Sequence, residues 1–467
     1  MTGPPLKGQQ RRPPRKGKPR PDLPRRVAFD LLRAVDERDA YANLTLPGLL
    51  REHGLEPRDA AFATELAYGT LRGRGTYDAV LAACVDRPLA QVDPPVLDLL
   101  RLGTHQLLAM RVPSHAAVGA TVELARAVAG EGRGSFVNAV LRKVGGRDLD
   151  AWLTAVAPAY DSDPVGNLAV VHSHPRWVVS ALRDTIGGSL ERTAALLAAD
   201  NVPPQVTLVA RPGRATVAEL VEAGAEAARW SPYAAVLPGG DPGAIVAVRE
   251  GRAGVQDEGS QLVAAALAEA PLEGADERWL DLCAGPGGKA ALLGAIAGGR
   301  GAALLAAEVA PHRAGLVRRV VGDTATVVVA DGRVPAWRPA SLDRVLVDAP
   351  CTGLGALRRR PEARWRRQPE DVAGLTALQR DLLHAGLDAV RPGGLVAYVT
   401  CSPHLAETRS VVLDVLHRRR AAGDQVERVD ARPYLPGVPD LGDGPDVQLW
   451  PHVHGTDAMY LALLRRG

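Results

Sequence analysis

The stretch RWLDLCAGPGGKAALLGAIAGG, residues 278–299, decides how the second half of this chain folds. A short apolar run, RWLDLC, enters a Gly-rich turn, and the turn opens into a helical pattern. Outward from it the same alternation recurs. The helical segment SQLVAAALAEA precedes it, and the runs AALLAAE, ATVVVA, DRVLVDA and LVAYVTC follow, with helical patterns between them. Strands this apolar are covered on both faces, so residues 256–467 are expected to form an α/β doubly wound domain around a parallel sheet. The last two runs, VQLWP and AMYLALLRR, lie close in sequence and are placed antiparallel at its edge.

Upstream, residues 149–255 mix helical patterns such as PRWVVSALRD with short β-like runs, PQVTLVAR and AIVAVRE, and read as a small α+β connector. Gly145, Gly146 and a Pro/Asp-rich stretch near residues 157–164 mark its start. From residue 25 to 148 the pattern is helical throughout: RRVAFDLLRAV puts Val27, Leu31 and Val35 on one face, and SFVNAVLRKV puts Val137, Val140, Leu141 and Val144 on another. Five or more short helices make that region an all-α domain. Residues 1–24, rich in Pro and base, are expected to be a disordered tail.

The formal net charge of +3 is unevenly placed: residues 1–26 hold nine Lys/Arg against one Asp. A second basic stretch, RRRPEARWRR, runs from Arg358 to Arg367. Basic clusters on a near-neutral body point to a polyanionic partner. No run is apolar enough to span a bilayer and no secretory core opens the chain, so a cytoplasmic address without membrane contact is expected. Four cysteines, at 84, 283, 351 and 401, fit neither a disulfide framework nor a zinc site. His172 and His174 in the connector, and His452 and His454, lack partners at metal spacing, so no metal is expected.

In an open α/β sheet, ligands bind beyond the carboxyl ends of the strands. The residues there are Asp281 to Lys289, then Glu308, Asp331, Asp348 to Cys351, and Cys401. The loop Cys283, Ala284, Gly285, Pro286, Gly287, Gly288 lets a ligand approach the backbone, without the order of a dinucleotide fingerprint. Glu308 is placed to accept from ribose hydroxyls and Asp331 from an adenine amino group. Cys351 and Cys401 end neighbouring strands, which brings two thiols to one pocket beside an acid and a lysine. Cys283 and Cys84 read as packing.

At these residues the sequence resembles the bacterial 16S ribosomal RNA cytosine-5 methyltransferases of the RsmB type. VQDEGSQLVA, DLCAGPGGK, VLVDAPCTGLGALRRRPEARWRR and YVTCSPHLAET carry the likeness in the second half. RDAAFATELAYGTLR, LRLGTHQLLAMRVPSHAAV and FVNAVLRKV resemble the NusB-like RNA-binding domain fused to these enzymes.

The resemblance implies a class I, Rossmann-like domain that binds S-adenosylmethionine through Cys283 to Lys289, Glu308, Asp331 and Asp348. It implies Cys401 as the nucleophile, Cys351 in release of the product, and Lys289 and Asp348 reaching the target base. The family more often has Asp where this chain has Glu308. Carbon 5 of a pyrimidine is a poor nucleophile until a thiolate adds at carbon 6, which is why such a set is needed. Arg358, Arg359, Arg360, Arg364, Arg366 and Arg367 would then form an RNA-facing loop, with Trp365 stacking or packing. The expected partner is unassembled 16S rRNA, and the expected state a monomer. Two alternatives stay open: the same chemistry on tRNA, and an RNA-binding assembly or antitermination factor whose enzyme half has decayed.

Overall fold

The computed structural model describes residues 22–467. The basic tail therefore lies outside the described residues except at its end, where Asp22 is not tail. Its side chain accepts from the Arg25 amide at 3.2 Å and caps α1 (Leu23–Arg38), with Pro24 in the first turn, where a missing N–H costs nothing.

Two compact units account for the chain. Of the described residues, 22–70 and 80–152 form one, and 71–79 with 153–467 the other. The first is helical: α1, α2 (Ala42–Glu52), most of α3 (Pro57–Cys84), α4 (Pro94–Leu108), α5 (Ser114–Ala129) and α6 (Glu131–Val144). One departure from expectation is α3, which at 28 residues is not short. Helix α4 is buried almost all round, from Val96 to Gln106. Its Asp98 is accordingly held by two guanidinium groups, Arg33 at 2.5 Å and Arg101 at 3.0 Å. Cys84 is core, 2% exposed.

After α7 (Leu149–Val156), the second unit opens with α8 (Pro164–Val171), α9 (Arg176–Thr185) and α10 (Leu190–Asp200). A four-stranded antiparallel sheet follows, in the order β2 (Glu226–Ala227), β3 (Ala234–Leu237), β1 (Val206–Ala210), β4 (Ala253–Val255). Helix α11 (Val217–Glu222) packs on it. The run AIVAVRE is not the expected strand. Asp241 caps a 3-10 turn at Pro242–Ala244, and Val246–Arg249 continues as one helical turn, α12. Apolar alternation over four residues does not separate a turn from a strand, and the Asp-Pro start decides it. Residues 153–255 lie in the same compact unit as the large sheet.

That sheet runs β10-β12-β9-β8-β5-β6-β7, with β11 paired to β12. The strands are β5 (Arg278–Asp281), β6 (Ala303–Glu308), β7 (Ala325–Val329), β8 (Leu342–Asp348), β9 (Val390–Thr400), β10 (Val426–Val429), β11 (Val447–Gln448) and β12 (Tyr460–Arg466). The pairings from β7 to β9 are parallel, while β12 is antiparallel to β9, β10 and β11. The last two strand signals thus pair as expected, and β10, not foreseen, forms the outer edge.

Period-two burial assigns the two faces. Leu346, Ala397 and Val399 join a core with α13 (Glu258–Glu269) and α14 (Gly288–Gly299). Val345, Val347, Val396 and Tyr398 join the opposite core with α17 (Asp371–Ala389) and α18 (Arg409–Ala421). Each fully buried branched side chain contributes roughly 1.5–3 kcal/mol. The order reverses at β5: the chain leaves it for β6 and β7 on one side, then returns to β8 and β9 on the other. A crevice at such a reversal lies at the strand carboxyl ends, where the acids, the glycines and two cysteines sit.

Candidate active site

Strand β5 delivers Asp281, and the loop from Leu282 to Gly287 leads straight into α14. The Asp281 carboxylate is buried, 1% exposed; one oxygen accepts from the Cys283 amide at 3.3 Å and the other has no partner. Burial, then the neighbouring Asp348 charge, pushes its acid up to about 8. Cys283 is half-buried, and burial followed by Asp281 pushes its thiol well up, so it stays protonated and acts as packing. Gly285 has a steric reason: a Cβ there would stand 2.2 Å from the Glu308 carboxylate.

Glu308, at the end of β6, is buried. Its oxygens accept from the Gly285 amide at 3.1 Å and the Ala310 amide at 3.0 Å, and Arg313 lies 3.4 Å away. Arg313 also donates to the Gly285 carbonyl at 2.8 Å. The acid is therefore fixed against the loop by α15 (Pro311–Val321), the helix that carries Arg313. Asp331, past β7, accepts from the amide and guanidinium of Arg333, and those hydrogen bonds hold its carboxyl below the usual range.

Lys289 stands in the first turn of α14 and donates to Asp348, the last residue of β8, at 2.8 Å. Its side chain is 12% exposed. Burial opposes the ammonium, but Asp348 outweighs it and raises the lysine, with Cys401 adding to the effect. The two expected thiols do meet, with Cys351 Sγ 3.5 Å from Cys401 Sγ, both residues half-buried. Their contact splits them. The hydrogen bond between them lowers the Cys401 thiol against burial and Asp348, helped by Lys289 and Arg360, whereas the same bond and burial push Cys351 well above its ordinary range.

The basic stretch turns inward in part. Arg364, on the short α16 (Ala363–Arg366), is fully buried and donates to the carbonyls of Ser173 at 3.1 Å and Asp200 at 2.9 Å and to the Asn201 amide oxygen at 2.7 Å. Arg358 is 7% exposed beside Asp457, and Arg359 pairs with Asp257 and Asp457. Asp257 also caps α13 through the Gly259 amide at 2.9 Å. Arg358, Arg359 and Arg364, expected to face RNA, are bonded within the fold by these partners. Arg360, Arg366 and Arg367 are half-buried. The histidines serve locally, His174 bonding the His172 carbonyl at 2.7 Å and His454 accepting from the Trp450 amide at 2.8 Å. Among the described residues no group of three metal-ligating side chains occurs, and no helix is long and apolar enough to cross a membrane.

Sequence reasoning missed Asp281 as a buried acid, Arg360 beside Cys401, and Glu407. Glu407 lies within the quoted YVTCSPHLAET, six residues past Cys401, but nothing in a lone glutamate announces burial.

The profile of the family described as 16S rRNA methyltransferase RsmB/F matches residues 269–465, and that of the NusB family residues 22–145. A Mycobacterium tuberculosis (strain H37Rv) protein provisionally named a methyltransferase is 54% identical, over 95% of this chain and 97% of its own length. The ribosomal RNA small subunit methyltransferase B of Pseudomonas syringae pv. tomato is 34% identical, over 85% and 88%. The crystal structure of PH0851 superposes with a TM-score of 0.79 at 22% identity, covering 96% of this chain and 100% of that one. NSun6 from Pyrococcus horikoshii, solved with SFG, gives 0.52 at 16% identity over 62% and 98%, a likeness of fold.

The geometry fits a sulfonium nucleoside. Asp281 keeps a buried acceptor without a partner, suited to a cation, and the glycine loop is packed so closely that a Cβ at Gly285 would stand 2.2 Å from the Glu308 carboxylate. The chain belongs to the 16S rRNA methyltransferase RsmB/F family, with a NusB-family domain ahead of an enzyme domain that uses S-adenosylmethionine.

Proposed function

We propose that this chain methylates carbon 5 of a cytosine in 16S rRNA through a transient bond from Cys401 to carbon 6 of the ring. The observation that carries the reading is the 3.5 Å contact of the two sulfurs, with the Lys289–Asp348 pair ending the adjacent elements. When bound, S-adenosylmethionine supplies an electrophilic methyl group. The Gly285–Gly288 loop, Glu308 and Asp331 would hold it, with Asp281 taking its cationic end.

Cys401 adds as thiolate to carbon 6, and the electrons of the 5,6 double bond move to carbon 5, which takes the methyl. Asp348, held by Lys289, faces the ring nitrogen and amine and stabilises the charge that develops there. A base then removes the carbon 5 proton, the double bond re-forms, and Cys401 departs as thiolate. Cys351, the protonated partner, assists that departure. The base must be reached outside a stack, which favours rRNA not yet packed into a subunit. RNA contact by the basic stretch is confined to Arg360, Arg366 and Arg367.

Bisulfite sequencing of rRNA and tRNA from cells lacking the chain tests the substrate. One protected cytosine of 16S rRNA should become convertible; loss of protection in tRNA instead would overturn the substrate. Cys401→Ala should abolish methyl transfer, and retained transfer would overturn the chemistry.

A further inference from the structure

Glu407 ends a 3-10 turn, Leu405–Glu407, and is fully buried. Its Oε1 accepts from the Thr352 amide at 2.8 Å and Gln379 Nε2 at 3.1 Å. Its Oε2 accepts from the hydroxyls of Thr352 at 2.5 Å and Ser402 at 2.6 Å. All four groups donate, and a carboxylate is the acceptor that takes all four. Thr352 follows Cys351 and Ser402 follows Cys401, so one side chain ties together the residues next to both sulfurs. Gln379 also donates to the Pro350 carbonyl at 2.9 Å, and the Tyr398 hydroxyl to the Glu407 carbonyl at 2.7 Å, which fixes the clamp from two more elements.

The charges around the sulfur pair are unevenly placed. Lys289, Asp348 and Arg360 act on Cys401, while Glu407 acts on Cys351; Tyr398 stands near Cys351, and His404 near Glu407. The Cys401 side holds two cations and one carboxylate, and the Cys351 side the Glu407 carboxylate.

We propose that Glu407 is a positioning residue of the reaction: it holds Cys351 against Cys401 and keeps the pair's one remaining proton on Cys351, so that Cys401 carries the negative charge. This rests on the covalent reading of Cys401 and extends it. Without Glu407 the electrostatic difference between the two sulfurs shrinks, and the proton is shared more evenly between them. In keeping with this, Glu407 is among the groups that raise the Cys351 thiol.

The test is iodoacetamide alkylation of the full chain at low conversion, each sulfur followed by peptide mass spectrometry from pH 5.5 to 9, with Cys84 and Cys283 as references. Wild type should be alkylated at Cys401 at least tenfold faster than at Cys351. Glu407→Gln, which keeps the shape and removes the charge, should cut that ratio at least threefold and lower the rate of methyl transfer. Glu407→Asp, which keeps the charge, should retain more of the ratio than Gln. A merely structural glutamate would alter melting and overall reactivity but leave the ratio unchanged, and that result overturns the proposal. If the Gln variant does not fold, wild type still decides, since equal alkylation of the two sulfurs, or faster reaction at Cys351, overturns it. Failure of the covalent reading looks different, as methyl transfer that survives Cys401→Ala.

Discussion

The Gly355 amide donates to the carbonyl of Cys401 at 2.8 Å, which pins the loop carrying Cys351 to the strand end carrying the other sulfur. Gly355 also accepts from the Ala458 amide at 2.9 Å, so the loop is stitched to β9 on one side and to the approach of β12 on the other. A Cβ at 355 would lie 2.1 Å from the Ala458 carbonyl oxygen and 2.7 Å from that of Cys401, and backbone atoms cannot swing aside. Gly355→Ala should therefore destabilise the chain by about 1–3 kcal/mol and separate the sulfurs. Denaturant unfolding and single-turnover methyl transfer check this; near-normal values of both would show that the loop is not held as described.

Lys289, bonded to Asp348, acts on Cys401 ahead of Arg360. Lys289→Met removes the charge while keeping the length. Asp348 then faces Cys401 uncompensated, and the thiolate is disfavoured, so the pH midpoint for Cys401 alkylation should move upward. Methyl transfer should fall about 10²–10³-fold, the usual cost of losing one preorganised electrostatic partner. Adding Asp348→Asn should bring the alkylation midpoint back down without restoring transfer, because the acid that faces the ring is gone. A double-mutant cycle on the midpoint reads this coupling directly.

The fold and the meeting of the two sulfurs were legible because both follow from local pattern. Strand-end positions come from apolar runs and glycine turns, and their collection at one edge follows from parallel connectivity; that is how Cys351 and Cys401 were brought together on paper. The single turn at Val246–Arg249 was misread because four alternating residues satisfy a strand as well as a turn. The inward course of Arg358, Arg359 and Arg364 was not legible for another reason. A run of arginines looks solvated until its acceptors are known, and Asp257, Asp457, Ser173 and Asp200 lie roughly 100 to 190 residues away in sequence. Glu407 was hidden in the same way, since its donors come from three separated segments.

Arg364 separates a structural arginine from an RNA contact. Its guanidinium satisfies carbonyls of Ser173 and Asp200 and the Asn201 amide from a fully buried position, where burial pulls it down to about 10. Arg364→Ala leaves those acceptors unpaired and should cost about 3–5 kcal/mol, as breaking a buried charged network does. The salt dependence of RNA binding by the folded fraction should not change. A phosphate contact would instead lower the slope of log affinity against log salt by about 0.7 to 0.9. Filter binding at several salt concentrations, beside chemical unfolding, distinguishes the two, and a reduced slope with unchanged stability would return this residue to the RNA surface.

Asp281 makes stability depend on pH in a direction opposite to that of most carboxylates. Burial and Asp348 push its acid up to about 8, against about 3.9 in an unfolded chain. Between those values the folded protein keeps a proton that the unfolded chain has lost. The stabilisation is thus complete below about pH 4 and is lost as pH rises through about 8. Asp200, raised by burial to about 7, adds to the same trend, while the Arg-paired Asp163 and Asp331, lowered, act only below about pH 4, where their stabilisation is lost on acidification. The contribution of Asp281 is therefore read from a difference. Asp281→Asn keeps an oxygen for the Cys283 amide and never ionises, so wild type should lose stability relative to the variant from pH 4 to 8, by a few kcal/mol in all, and run parallel to it above pH 9. Urea unfolding at steps of pH measures both curves without any ligand present. Parallel curves across the whole range would mean that Asp281 is ionised in the folded state, and its unpartnered oxygen would then demand a cation already in place.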